Sequence, residues 1–222
     1  MCVILSKKMS LFEVHLITAP TVSIEELTAL LPLLPEKATR PRVQVARTHY
    51  GQHPVQPMLT YWLHGEEAEV RASVDATVKN LSVDVKRVKI EGLQSGVADD
   101  HALADMDRYW EFHAKIPAGA GDGEAWSEAA IICANSGAHL FWNGVKPGGP
   151  LPIIALRRYC CTKASAARDW QQLTSNLAAA SLPVTEVHAE LGILDTNPRL
   201  DAGWLFAAEG KQDDFLRCVP VH

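Results

Sequence analysis

The chain has 222 residues, 47% hydrophobic and 21% charged, with a formal net charge of −5. That length holds one large domain or two small ones around an ordinary globular core. The 21 basic residues are scattered along the chain, so neither nucleic acid nor an anionic membrane surface is expected as a partner.

In chain order, FEVHLITA at 12–19 alternates apolar and polar residues and is β-rich, so it reads as a strand. Ser23-Ile24-Glu25-Glu26 has the form of a capping box. It opens a helix with Leu27, Leu30, Leu31 and Leu34 on one stripe, which Pro32 is expected to kink or shorten. RPRVQVART is a strand, THYGQHPVQP a Gly/Pro-rich loop, and PMLTYWLHG a strand. Segment 66–81 keeps Val70, Val74, Val78 and Leu81 on one helical face, and VDVKRVKIEG is the last strand of this half. The order β-α-β-β-α-β is ferredoxin-like.

The same plan then recurs. Glu13 sets onto Glu111 and His15 onto His113; at a near-constant offset PMLTYWLHG meets PIIALRRYC, helix 66–81 meets the pattern near 164–179, and Glu91 meets Glu190. The second half has strands WEFHAKIP, AHLFWNGV, LPIIALRRY and PVTEVHAELGIL, and helices near 123–136 and 165–180. The expected fold is therefore α+β, a tandem duplication of a βαββαβ unit. It comprises two antiparallel sheets with helices on their outer faces and a cleft between the sheets. The boundaries are 10–92 for the first half, 93–108 for an acidic linker, 109–206 for the second half and 207–222 for a tail. Within the last stretch Asp195-Thr196-Asn197-Pro198 is a turn signal, and GWLFAA a further strand or packing segment.

Strand parity locates the polar repeat. Phe12, Val14 and Leu16 share the face expected under the helices; Glu13, His15 and Ile17 share the open face. The same holds for Glu111, His113 and Lys115, for Lys89 and Glu91, and for His188 and Glu190. In a ferredoxin-like sheet the first and fourth strands pair, so His15 can meet Glu91, and His113 can meet Glu190. Imidazole and carboxylate together suit one divalent transition metal, with His15, Glu91, His113 and Glu190 as ligands. Glu13, Glu111 and His188 would orient those groups or carry protons. The competing reading is that these pairs are buried hydrogen bonds joining the sheets, in a non-catalytic binding or scaffold protein. Of Arg157 and Arg158, adjacent on one strand, only one can face the cleft.

The duplicated strand His and last-strand Glu resemble the vicinal-oxygen-chelate proteins, and that resemblance implies a divalent metal held between two modules. A second resemblance is to the two-histidine phosphoesterases, which place a strand His in each of two lobes. It implies a metal-independent phosphodiester hydrolase with His15 and His113 as the acting residues, although Lys115 stands where a hydroxyl would follow the second His. GxGxxG, Walker A, GxSxG and HExxH are all absent. The sequence thus leads to a small-molecule enzyme as the foremost function and a small molecule as its partner.

The five cysteines, Cys2, Cys133, Cys160, Cys161 and Cys218, include no CxxC spacing, and neither a disulfide framework nor a zinc knuckle is expected. No apolar run nears the roughly 20 residues of a membrane helix, and the order of residues in MCVILSKK is not that of a secretory leader. A cytoplasmic location is expected. Open strand edges allow a homodimer.

Overall fold

Alternation in SLFEVHLIT forms β1 (Ser10–Thr18), whose Phe12, Val14 and Leu16 turn outward into an apolar layer while Glu13 and His15 turn the other way. A computed structural model describes residues 10–49, 51–93, 108–117, 124–145, 151–202 and 204. Tyr50, most of the acidic linker and the stretch from 205 onward, on which expectations from the sequence fall, lie outside these residues.

After β1 the Ser23 capping box forms as expected: the Glu26 N–H donates to Ser23 Oγ at 3.1 Å and the Ser23 N–H to Glu26 Oε2 at 2.8 Å. It starts α1 (Ile24–Leu30), which tightens into a 3₁₀ turn, Leu31–Leu33, where Pro32 removes a donor. Then come β2 (Thr39–Arg47), β3 (Val55–Gly65), α2 (Glu67–Asn80) and β4 (Val85–Leu93). The second series is β5 (Tyr109–Lys115), α3 (Glu124–Asn135), β6 (Ala138–Asn143), β7 (Pro152–Tyr159), α4 (Lys163–Ala179) and β8 (Thr185–Asp195), ending in a 3₁₀ turn, Pro198–Asp201.

Strand order is β1-β3-β2-β6-β7-β5-β8-β4, closing back onto β1. Each series contributes its four strands in the ferredoxin-like order, fourth-first-third-second, so the fold is ferredoxin-like α+β. The expected pair of sheets with a cleft between them is corrected here, because the strands form one closed antiparallel barrel. Each open four-stranded sheet would leave two rows of unpaired backbone groups, and joining edge to edge satisfies them. One seam pairs β4 with β8 from Lys89↔Asp195 to Leu93↔Glu190. The other is short, Ala46↔Asn143 and Arg47↔Trp142, extended by the Gly144 N–H donating to the Val45 carbonyl at 2.8 Å. Among the described strands closure leaves no free edge, so the edge-based ground for a homodimer lapses.

The apolar core lies outside the barrel wall and under the helices. Leu27, Val70 and Val74 cover the first series; Ala129, Ala130, Trp170, Leu173 and Leu177 cover the second, with the Phe112 ring stacked on Trp170 at 5.6 Å. Arg158 faces this outer side, bonded to Asp169 at 2.6 Å and to the Ser136 carbonyl at 2.8 Å. Its neighbour Arg157 faces the lumen, so one of the two serves the interior, as parity requires. No helix among the described residues is long and apolar enough to cross a membrane.

Candidate functional site

The face that parity assigned to the polar repeat is the barrel lumen. It encloses a cavity of about 560 Å³ that Glu13, His15, Lys89, Glu91, Glu111, His113, His188 and Glu190 all line. A cavity of that volume fits a small organic molecule.

Its deep part is a continuous chain of ion pairs. Arg87 grips Asp195 with two nitrogens, at 2.7 and 2.5 Å, and reaches Asp201 Oδ2 at 2.8 Å. Arg157 joins Asp201 Oδ2 at 2.6 Å to Glu111 Oε1 at 2.8 Å. The Lys89 ammonium bridges Glu111 Oε2 at 2.9 Å and Glu91 Oε1 at 2.8 Å. Glu91 Oε2 then meets His15 Nε2 at 3.0 Å, and His15 Nδ1 lies 3.0 Å from Thr60 Oγ1, whose hydroxyl donates to Gln44 Oε1 at 2.8 Å. Opposite charges at these separations, away from water, interact far more strongly than on a surface.

Side-chain exposure rises from 1% at Arg87 and 4% at Asp201 to 22% at His113, 26% at Lys115, 40% at Arg42 and 54% at Glu186. The lumen therefore opens on the side of His113, His188 and the Lys115–Glu186 pair. Behind the deep network the Pro198–Asp201 turn seats Asp201, Gln56 donates to Asp201 Oδ1 at 2.9 Å, and Trp204 packs on Phe141 while its indole N–H donates to the His53 carbonyl at 3.0 Å.

The registers bring the expected pairs together by diagonal contacts. Glu13 is opposite Glu91 and His15 opposite Lys89, and His15 reaches Glu91 from the next level. Glu111 is opposite Glu190 and His113 opposite His188, and His113 Nε2 stands 3.5 Å from both Glu190 Oε2 and Glu111 Oε1. Glu13 is held by Arg42 at 2.6 Å. Among the described residues one trio, Glu91, Glu111 and His113, has ligand atoms all within 4.8 Å of one another. His15 and Glu190, of the expected ligand set, lie outside that trio, and Glu111, expected as an orienting group, lies inside it.

Burial would raise the carboxyl pKa of Glu91, but Lys89 and then His15 outweigh it and hold the group well below the usual carboxylate range. Glu111 is likewise held down, against its burial, by Arg157 and Lys89. Burial works against the Lys89 ammonium too, and Glu111 and Glu91 overcome it. Burial lowers His113, with Glu111 and Glu91 offsetting only part, so its imidazole is neutral near pH 7. Glu190 is pushed well above the usual range by burial and then by the charges of Glu91, Glu13 and Glu111. The lumen thus sets a carboxyl whose pKa is pushed up beside an imidazole whose pKa is pushed down, two groups whose surroundings each favour the uncharged form.

No family model matches the chain, and no curated protein matches it. A dye-decolorizing protein from V. cholerae aligns at 9% identity over 88% of this chain and 96% of that one, with a TM-score of 0.27. A putative chlorite dismutase aligns at 10% identity over 86% and 97%, with a TM-score of 0.28. The ligand-free regulatory subunit of aspartate kinase from Thermus thermophilus aligns at 10% over 77% and 97%, also at 0.28. Scores this low carry no argument, and the ferredoxin-like assignment rests on strand order.

Several lumen residues escaped the sequence reading. Arg87 shares parity with Lys89 and Glu91, and Arg42 with Gln44, so both were open to the same rule. His139 alternates with Phe141 and Asn143 in β6 and lines the lumen with them. Asp195 stands in a turn signal, and with Asn197 and Asp201 it allows at most a hard-cation loop that a turn explains as well. Asp195 and Asp201 are instead buried counter-ions of Arg87 and Arg157, which local sequence does not reveal because their partners are distant in the chain.

Proposed function

We propose that the chain is a small-molecule enzyme whose reaction chamber is the barrel lumen. His15 with Glu91 and His113 with Glu190 supply its polar working groups; Glu13, Glu111 and His188 orient them or carry protons, and a divalent transition metal is the candidate cofactor. The supporting observation is convergence. Two His–Glu pairs, from matching positions in the two series, open on one cavity of about 560 Å³. We also propose that the two series descend from a duplicated βαββαβ unit. In favour of this, matching Glu91 to Glu190 makes Gly92 and Leu191 equivalent, and these two are paired with each other at the β4–β8 seam. Such self-pairing is what a two-fold axis relating two duplicated halves would produce.

A second reading, a scaffold or binding protein without turnover, draws support from the deep network, in which His15 and Glu91 are fully engaged by Thr60 and Lys89. The test is to follow a metabolite extract by mass spectrometry with the wild-type chain and with His15→Ala/His113→Ala, and to measure the stability of both. Enzyme function expects compounds converted by the wild type and not by the variant, with stability changed by less than about 1 kcal/mol. No conversion by the wild type, with about 2 kcal/mol or more lost in the variant, would leave the scaffold.

A further inference from the structure

The two matching His–Glu pairs are not alike. His15 Nε2 and Glu91 Oε2 are 3.0 Å apart, a hydrogen-bond separation, and their remaining polar atoms are taken by Thr60 Oγ1 at 3.0 Å and Lys89 Nζ at 2.8 Å. His113 Nε2 and Glu190 Oε2 stand 3.5 Å apart, too far for the roughly 2.7–2.9 Å of a charge-assisted hydrogen bond. That spacing does suit two ligands of one ion: metal–N and metal–O bonds of about 2.0–2.2 Å at a tetrahedral angle separate the donor atoms by about 3.3–3.6 Å.

We propose that His113, His188 and Glu190 form a divalent transition-metal site on the open side of the lumen. Four further observations bear on it. Glu190 is only 8% exposed and lines the lumen, and its contact there is with His113 at 3.5 Å rather than with a lysine or arginine. His188 is the cross-strand partner of His113 and shares the lumen face, with Cβ atoms about 4.5–5.5 Å apart in such pairs. Glu190 follows His188 by two on the same face, so two histidines and one carboxylate share this stretch of the lumen wall. Glu111 Oε1 stands at the same 3.5 Å from His113 Nε2, but Arg157 holds that oxygen at 2.8 Å and Lys89 holds Glu111 Oε2 at 2.9 Å, which leaves Glu190 as the carboxylate for the ion. The trio Glu91, Glu111 and His113 is not the site, because the Lys89 ammonium already lies between its two carboxylates. Two nitrogens and one oxygen favour Zn²⁺, Fe²⁺ or Co²⁺ over Mg²⁺ or Ca²⁺ and leave positions open for substrate.

This names an occupant of the lumen proposed above as a reaction chamber and rests on that reading, but its test needs no turnover. The full chain is stripped with EDTA, titrated with Co²⁺, followed by visible d–d absorption, and its retained metal is measured by elemental analysis after desalting. One Co²⁺ per chain is expected. Glu190→Gln, His113→Ala and His188→Ala should each weaken binding by more than about 100-fold, beyond the 10–100-fold typical of outer-shell changes, while Arg158→Ala, on the outer side of the wall, stays within about 3-fold. Glu190→Gln keeps the side-chain shape and decides the matter if an alanine variant fails to fold by circular dichroism. No Co²⁺ held by the wild type overturns the proposal, and conversion of metabolites persisting without metal would show that this proposal alone had failed. Binding lost in Glu91→Gln but kept in Glu190→Gln would also overturn it, placing the ion in the trio.

Discussion

Asp201 offers the sharpest test of the deep lumen. Its carboxylate is 4% exposed, accepts from Arg87 at 2.8 Å and Arg157 at 2.6 Å through one oxygen, and from Gln56 at 2.9 Å through the other. Asp201→Asn keeps the shape and removes the charge. Removing one partner of a buried ion pair costs about 3–5 kcal/mol. Arg87 keeps Asp195 and Arg157 keeps Glu111, so the lower end, about 3 kcal/mol, applies. For a chain of this size that lowers the melting temperature by roughly 6–12 °C at pH 7. The sign of the pH dependence follows from the same geometry. Burial opposes the Asp201 charge, but the two guanidiniums win and hold the carboxyl far below the ordinary 3.8. A depressed acid stabilises the fold fully above its unfolded value and loses that contribution as pH falls toward its folded one. The gap between wild type and Asp201→Asn should therefore hold from pH 7 to about pH 4 and narrow between there and about pH 2. Thermal melts across that range by circular dichroism decide it. A variant melting within about 3 °C of wild type at pH 7, a shift worth about 1 kcal/mol, would refute the role given to Asp201.

Two more expectations follow from the lumen wall. A Cβ added at Gly192 would lie 2.3 Å from Tyr109 Cζ and 2.5 Å from its Cε atoms, and the Tyr109 ring is fixed beneath Lys89 and Arg157 at 5.9 and 5.5 Å. Gly192→Ala should cost about 1–3 kcal/mol, and urea titrations of Gly192→Ala, Tyr109→Ala and the double variant should show coupling of about 0.5–3 kcal/mol, since the clash needs both side chains; strict additivity would contradict the contact. His139 is driven down to about 4 by burial and then by Arg157, so it stays neutral well below its unfolded value of about 6.5. Stability tied to this residue is whole above about pH 6.5 and is lost as pH falls toward 4. The His139 imidazole resonances, assigned with His139→Gln, should not titrate above about pH 5, and a midpoint near 6.5 would remove the argument.

The parts of the fold legible in the sequence are those set by short-range physics. Alternation in FEVHLIT and WEFHAK fixed which side chains share a face, because successive strand residues must point opposite ways. Ser23 and Glu26 announced a helix start, since orphan backbone N–H groups need local acceptors. Pro32 marked where α1 would tighten. The pairing of His15 with Glu91 was accessible because strand order within a βαββαβ unit is restricted. Barrel closure was not, because the seams are made by backbone groups that every residue carries. The Ala46↔Asn143 and Glu91↔Gly192 pairs have no side-chain signature.

The sequence by itself determined the two series of elements, the polar face of each strand, and the recurrence of Glu-x-His with a distant Glu. Only the tertiary structure decided what those residues do to one another. Folding places Lys89 between Glu91 and Glu111, and seats Asp201 on Arg87 and Arg157. It closes one His–Glu pair at 3.0 Å and leaves the other at 3.5 Å. A charge in a closed lumen is governed by whichever groups surround it in space, and water is too scarce there to screen them. Local sequence fixes the direction in which a side chain points; the neighbours it meets there are fixed by how the whole sheet closes.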